Sequence, residues 1–355
     1  MKIAFFYDWL NHRWGGAERV LLDVLALYPD APIFTLFHNP KNSTWLPSGH
    51  QVFSSFLNKL PFSDTHPELY SILFPLAVEQ FNFSDYDLVV SFTSNIGYGL
   101  LTLPHTRFIC YFFNQNRYIY TLPSSPIVKP LISLFKKIDH LLIKRPDVYL
   151  CDSATVSHRL QQTYNLRAKV IYPGINVKYF HPSPTPSPQD YYLAVSRLVS
   201  HKNIDQAIHA CHQLKLKLII VGNGRRLTFY QKMIADLKNP DLQIKSSLSD
   251  RQLLWLYQHC QALLCPQEED FGLTSLEAQA CGRPVIAYGR GGHTETVIHG
   301  VTGFLYSPQT VSGLKQAVTE FKNYQIDPLN CRNNALKFSN QNFVLNFKKL
   351  LKDNQ

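Results

Sequence analysis

Residues 262–287 read ALLCPQEEDFGLTSLEAQACGRPVIA. Two short apolar runs, Ala262–Cys265 and Pro284–Ala287, enclose a stretch of good helix formers, Leu273–Ala280. This is the strand–helix–strand order of a βαβ unit. Apolarity that is continuous rather than alternating marks strands covered on both faces, as in a parallel sheet. Similar runs recur along the chain at Ile3–Tyr7, Leu88–Phe92, Phe108–Phe112, Val148–Cys151, Lys169–Tyr172, Tyr191–Ser196 and Leu216–Val221. Helical-period stretches lie between many of them, so the fold class is α/β.

A chain of 355 residues suggests two domains. Residues 181–190, HPSPTPSPQD, hold four prolines. Proline fixes φ and donates no hydrogen bond, so this piece reads as an extended linker. The expected division is residues 1–180, the linker 181–190, and a second domain over 191–337.

The formal net charge is +10, divided as +4 in residues 1–180 and +6 beyond them. No basic arm, stripe or recognised module accompanies it, which argues against nucleic acid as a partner. Anionic phosphates or an anionic membrane surface explain the sign as well. Aromatic residues make up 13%; they fit either a packed core or sugar rings stacked in a groove. Seven cysteines at 110, 151, 211, 260, 265, 281 and 331 form no CxxC pair. That excludes a disulfide framework or zinc knuckle and points to a reducing, cytoplasmic compartment. The opening run MKIAFFYDWL stops being apolar at Asp8, so it reads as a buried first strand rather than a signal peptide. No run is long enough to span a membrane. Residues 129–145 have apolar positions at 131, 134, 135, 138, 141 and 142, with Lys136, Lys137, Lys144 and Arg145 among them. Such a basic amphipathic helix either lies on the inner face of an anionic membrane or packs on its own domain with a solvated basic face.

Three stretches carry chemistry. In QEEDFGLTSLEA, Glu269 and Glu277 are eight apart across a loop containing Gly272. A helix beginning near Leu273 directs free N–H groups toward that loop, and such a terminus binds phosphate. A carboxylate beside a phosphate repels it, so the glutamates face something else, for which sugar hydroxyls are the obvious candidates. In VSRLVSHKN, residues 195–203, Arg197 and Lys202 follow a strand at the carboxyl end, where open α/β sheets bind ligands. The two cations suit a pyrophosphate, Arg as a fork and Lys as a point charge. Trp14-Gly15-Gly16-Ala17-Glu18 follows the first strand, and Val221-Gly222-Asn223-Gly224 repeats the strand-then-glycine arrangement. Neither is GxGxxG, so dinucleotide binding is poorly supported.

Taken in order, the GGAE loop, SRLxxxKN, VGNG, E-x7-E and GGHTETVIHGVTGFL resemble family 4 of the retaining glycosyltransferases, over nearly the whole chain. GGAERVL with PDAPIFTL, RFICYFFNQNRYIY and VIYPGINVKYF bring it toward bacterial polysaccharide transferases of mannosyl- or glucosyl-transferase type. The resemblance implies the GT-B fold, two Rossmann-like domains facing each other across a cleft, with a C-terminal helix near 338–355 returning to the first domain. It implies that Arg197 and Lys202 bind the donor diphosphate. Glu269 and the backbone at Phe271, Gly272 and Leu273 would hold sugar hydroxyls, Thr274 the phosphate and Glu277 the ribose. Gly222 belongs to the donor side, Gly15 and Gly16 approach the diphosphate from the other domain, and Lys245 and Leu248 fall near the base. The implied donor is a UDP-hexose, with GDP-mannose next. The implied acceptor is a saccharide, lipid-linked or a growing polysaccharide. No cofactor or metal is expected. Asp85-Tyr86-Asp87 spells a DxD but reads as the entrance to the strand Leu88–Phe92.

Two departures stand out. Relatives have YCHTPMRY where this chain has YFFNQNRY, residues 111–118, so that Phe113 occupies the histidine position. Asn114 and Arg117 are then the candidates on the acceptor side. Ser246 stands where relatives often have glycine. The rival readings are a non-catalytic nucleotide-sugar binding protein, motivated by Phe113, and a nucleotide-sugar epimerase of the same fold. The epimerase would need no acceptor, and its motifs do not match the E-x7-E here.

Overall fold

The structure is a computed structural model that describes residues 1–11, 15–120, 129–185 and 188–353; the side chains of residues 117, 118, 129–131 and 353 also lie outside the described set. The chain forms two compact units, Met1–Tyr172 and Pro173–Gln355.

The first unit runs β1 (Ile3–Leu10), α1 (Gly16–Leu25), β2 (Ile33–His38), β3 (Val52–Ser54), α2 (Phe74–Glu79), β4 (Leu88–Thr93), β5 (Arg107–Phe112), α3 (Arg117–Tyr120), α4 (Lys129–Leu142), β6 (Val148–Cys151), α5 (Ala154–Tyr164) and β7 (Lys169–Val170). Among the described residues its sheet has the order β3-β2-β1-β4-β5-β6-β7, and every pairing is parallel. The order reverses between β1 and β4, which makes their carboxyl ends the switch point where such sheets hold ligands.

β1 is longer than its apolar run suggests. Asp8 stays inside the strand, 8% exposed, because Thr93 Oγ1 donates to both its oxygens at 2.8 and 2.9 Å and Ser94 N donates at 2.6 Å. These donors satisfy a carboxylate that would otherwise be costly to bury. Burial still pushes the Asp8 carboxyl up to about 6. The aromatic residues are largely core: Phe34 stacks on Phe53 at 5.0 Å and meets Phe83 edge-on at 4.7 Å. Asp87 accepts from Lys2 N at 2.6 Å, so the DxD stretch clamps the amino end of β4, opposite the switch point.

The second unit runs β8 (Tyr192–Val195), α6 (Ile204–Leu214), β9 (Leu218–Val221), α7 (Leu227–Leu237), β10 (Leu242–Lys245), α8 (Asp250–His259), β11 (Leu263–Cys265), α9 (Leu273–Ala280), β12 (Val285–Tyr288), α10 (His293–Thr296), β13 (Gly303–Tyr306), α11 (Val311–Phe321), α12 (Pro328–Leu336) and α13 (Asn340–Asp353). Its sheet has the order β10-β9-β8-β11-β12-β13, again all parallel, so the topology of the first unit is repeated. The switch point now lies between β8 and β11. Residues 175–180 are tied to this unit: Arg332 donates to the carbonyls of Val177, Phe180 and Ala280 at 2.7–2.9 Å. The proline-rich stretch 181–190 follows them. On α13, Phe343, Phe347, Leu350 and Leu351 are buried, the spacing of one helical face. All seven cysteines are buried free thiols.

Candidate functional site

At the switch point of the second unit, Arg197 and Lys202 follow β8 and Glu269 follows β11. The chain here is shaped by backbone contact. Ser196 N donates to Val221 O at 3.0 Å and Leu198 N to Asn223 O at 2.8 Å, which lays the Arg197 segment along the VGNG turn. A Cβ on Gly222 would sit 1.9 Å from Ser196 O, so only glycine admits this approach. Gly222 thus acts by making room. Arg197 is exposed, and among the described residues its guanidinium has no carboxylate partner.

Lys202 and Glu269 meet directly, Nζ to Oε1 at 2.5 Å, with side chains 12% and 20% exposed. Gln267 Nε2 donates to the same oxygen at 2.8 Å. Burial, the largest single influence, would raise the Glu269 carboxyl, but the charge and hydrogen bond of Lys202 together with His293 and Gln267 outweigh it and hold the group at about 2. Glu269 is therefore ionised at neutral pH, and Oε2 remains to accept from hydroxyl groups. Lys202 keeps two N–H donors beyond the one it gives to Glu269.

The loop between Glu269 and α9 is held from behind. Gly292 N donates to Glu269 O at 2.8 Å, and Glu269 bridges to Gly291 backbone to backbone. A Cβ on Gly292 would lie 2.3 Å from Phe271 Cα, so the two strands of backbone touch. Next in sequence, His293 is wholly buried, with Nδ1 3.1 Å from Ser275 Oγ in the first turn of α9. Burial pushes its imidazole down to about 4, which leaves it neutral at pH 7. The motif GGHTE was legible in the sequence, but no role for His293 or Gln267 was; that of His293 depends on Ser275, eighteen residues back, and that of Gln267 on its side chain turning to Glu269.

Gly272 is the N-cap of α9, and Leu273 and Thr274 open its first turn. Their N–H groups point back toward the loop that carries Glu269. Phe271 differs from the expectation in detail: its ring is 4% exposed and packs on Phe338 at 5.7 Å, leaving only its backbone to the site. Glu277 is 2% exposed, and Tyr257 Oη donates to its Oε2 at 2.8 Å. Lys245 ends β10, and Leu248 precedes the N-cap Ser249 of α8. A capping box fixes that start: Ser249 Oγ accepts from Gln252 N at 3.3 Å while Gln252 Oε1 accepts from Ser249 N at 2.9 Å.

The remaining candidates belong to the first unit. Gly15 caps α1 and Gly16 begins it, just past the switch point; Trp14 lies outside the described residues. A Cβ on Gly15 would meet Glu18 Oε2 at 2.6 Å, and Tyr7 Oη donates to Glu18 Oε1 at 2.8 Å. Phe113 is a core residue, 8% exposed and stacked on Phe92 at 6.3 Å. Asn114 is 4% exposed and its Oδ1 accepts from Gln115 N at 2.8 Å, so that oxygen shapes the turn. The side chain of Arg117 lies outside the described residues. Among the described residues no three His, Cys, Asp or Glu side chains are grouped to hold a metal ion, and no helix is long and apolar enough to cross a membrane.

Residues 178–338 match the family described as "Glycosyl transferases group 1". The uncharacterized glycosyltransferase MJ1178 of Methanocaldococcus jannaschii is 26% identical over 178 residues, half of each chain. Human alpha-1,3/1,6-mannosyltransferase ALG2 is 31% identical over 181 residues, 43% of each chain. The chain spans about half the length of the curated relatives it matches. Among solved structures, Anabaena HepE in complex with UDP has a TM-score of 0.76 at 21% identity, covering 99% of this chain and 100% of that one. Sucrose-phosphate synthase of Thermosynechococcus elongatus has a TM-score of 0.78 at 18% identity, covering 99% of both. Residues 178–338, which contain Arg197, Lys202, Glu269 and Glu277, thus carry the group 1 glycosyl transferase signature on a chain with the GT-B fold.

Proposed function

We propose that the chain is a retaining glycosyltransferase that takes a hexose from a nucleoside diphosphate, a UDP-sugar first and GDP-mannose next, and needs no metal. The observation that carries this reading is the ionised Glu269, held by Lys202 beside the N-terminus of α9, with the uncommitted Arg197 on the same strand ends. An anion-binding terminus flanked by two cations suits a diphosphate; a carboxylate kept charged in its midst suits sugar hydroxyls. The UDP complex of the HepE neighbour supports the choice of base.

In the reaction, the bond between the sugar anomeric carbon and the phosphate oxygen breaks. Negative charge develops on the diphosphate and is received by Arg197, Lys202 and the N–H groups of Leu273 and Thr274. The acceptor hydroxyl attacks from the face the phosphate leaves, and its proton passes to the departing phosphate oxygen. The acceptor is a lipid-linked or growing polysaccharide, reached from the membrane surface, where residues 129–145 make a peripheral contact. Glu277, Lys245 and Leu248 serve ribose and base, and Asn114 and Arg117 the acceptor side.

Calorimetry with UDP and GDP in EDTA, followed by assay of sugar release from UDP- and GDP-hexoses, tests this. Micromolar binding of one nucleotide with slow release of its sugar is expected. Binding without release or transfer would instead favour a nucleotide-sugar binding protein. Activity lost in EDTA and restored by Mn²⁺ or Mg²⁺ would overturn the metal-free reading.

A further inference from the structure

The segment that follows β5 carries Asn114 and Arg117, and it is anchored from behind at three points. Thr163 Oγ1, on α5, donates to Gln115 Oε1 at 2.5 Å. Asn116, 4% exposed, is hydrogen-bonded through its side chain to the Tyr98 hydroxyl. Tyr120, at the end of α3, donates through its hydroxyl to Asp139 Oδ2 on α4 at 3.0 Å. Two of these lines converge, because Tyr98 Oη also donates to Asp139 Oδ1. One carboxylate thus serves both ends of residues 116–120.

Asp139 is 1% exposed, and among the described residues no cation forms an ion pair with it. Burial raises its carboxyl above the ordinary carboxylate value, against the bonds from Tyr98 and Tyr120. A carboxylate is a costly way to fill such a place, and an apolar side chain of similar size would serve the core at least as well. What it adds is direction, since it accepts from two phenols on different segments in fixed geometry. Both phenols are themselves held. Tyr98 is wholly buried and stacks at 5.7 Å on Phe112, the last residue of β5. The Tyr120 ring meets Tyr164 edge-on at 5.6 Å and has Lys136 Nζ at 5.2 Å. Arg145, just past α4, donates to Gly99 O, which ties the 3-10 turn Gly97–Gly99 to the same helix. The sheet has no use for these contacts: β5 is already paired on both edges, with β4 and β6, up to Phe112. The network begins where that pairing ends.

We infer that Asp139 is a positioning residue for the acceptor side. Through Tyr98 and Tyr120 it sets the path of residues 113–120, and so the place of Asn114 and of the Arg117 backbone, while touching no substrate itself. This role rests on the acceptor reading of that segment; its first measurement needs no acceptor, so the two can fail separately.

Hydrogen exchange of the full chain, read peptide by peptide by mass spectrometry, reports the path directly. In Asp139→Asn the side chain accepts one phenol but not both. Amides of residues 114–120 should then exchange about tenfold faster, the loss expected for one buried bond to a charged group, while β4, β5 and β6 exchange as in the parent. Tyr120→Phe, a milder change, should act in the same direction, and should add less in the Asp139→Asn background than it does alone. Sugar release and transfer are then measured with octyl glucoside and octyl mannoside as acceptor probes. Both variants should raise KM for the octyl hexoside about tenfold and leave nucleotide binding and donor hydrolysis unchanged. An unchanged exchange pattern, additive effects in the double variant, or hydrolysis that falls together with transfer would overturn the assignment. So would faster exchange throughout the first unit, which would make Asp139 a core stabiliser only. A parent that transfers sugar to neither hexoside would count against the acceptor reading, and the exchange pattern would still decide the role of Asp139.

Discussion

Replacing Lys202 with methionine removes the charge from the best-defined contact of the site while keeping most of the apolar stem. The size of the effect follows from Glu269. Its carboxyl sits at about 2 instead of 4.5, which corresponds to about 3 kcal/mol of interaction favouring the ionised, folded form. Because the folded value is depressed, that stability is present above pH 4.5 and is lost as pH falls toward 2. Lys202 is the largest of the groups that lower it, so the parent and Lys202→Met should differ by on the order of 3 kcal/mol at pH 7 and by clearly less at pH 3. Urea unfolding followed by circular dichroism, at pH 7, 5 and 3, measures the gap. Adding Glu269→Gln to Lys202→Met should recover part of the loss, because the single variant leaves a partly buried carboxylate unpaired and the double one does not. A gap below about 1 kcal/mol, the size of an exposed pair, or one that is the same at pH 3 and pH 7, would refute the reasoning.

The other predictions concern separate parts of the chain. Arg197→Ala should lower turnover by about 10²–10³ with folding intact, the loss expected for one preorganised charge stabiliser; near-parental turnover removes Arg197 from the mechanism. Gly292→Ala forces a methyl against the Phe271 backbone and should destabilise by about 3 kcal/mol while weakening nucleotide binding; an unchanged melting temperature would show that the contact can relax. Asp8 has a folded value of about 6, above its ordinary 3.8, so ionising it costs stability as pH rises through 6. Asp8→Asn should thus gain up to about 3 kcal/mol at pH 8 relative to pH 4, and a pH-independent difference in urea unfolding contradicts the burial argument.

Much of the fold was legible because parallel strands announce themselves as apolar runs, and nine of them lay where β1, β4–β9, β11 and β12 formed. β2 was harder to single out, since Thr35 interrupts its run; the hydroxyl is nevertheless buried, donating to Asp8 O and Phe37 O. β1 was read too short for a similar reason, a carboxylate whose donors come from residues 93 and 94. The spacing of Glu269 and Glu277 correctly located a loop and a helix terminus at the end of β11. It could not show that Tyr257, twenty residues upstream, holds Glu277, or that a glycine pair beyond β12 braces the loop. On α4 the helical period held but could not say which apolar positions face outward: Leu134 and Leu141 are exposed, while Ile138 packs on the core and Leu142 is buried. The buried Asp139, an apparent polar interruption, decides which leucines face outward.

The brace behind Glu269 bears on how this site can be altered. Since Glu269 and Gly291 pair backbone to backbone and Gly292 presses on Phe271, the connection from 269 to 272 has a set length. One inserted residue would slip the pairing and turn Glu269 away from Lys202. Engineering a different sugar preference is therefore a matter of exchanging side chains at fixed positions, and libraries that vary loop length here should yield few folded members.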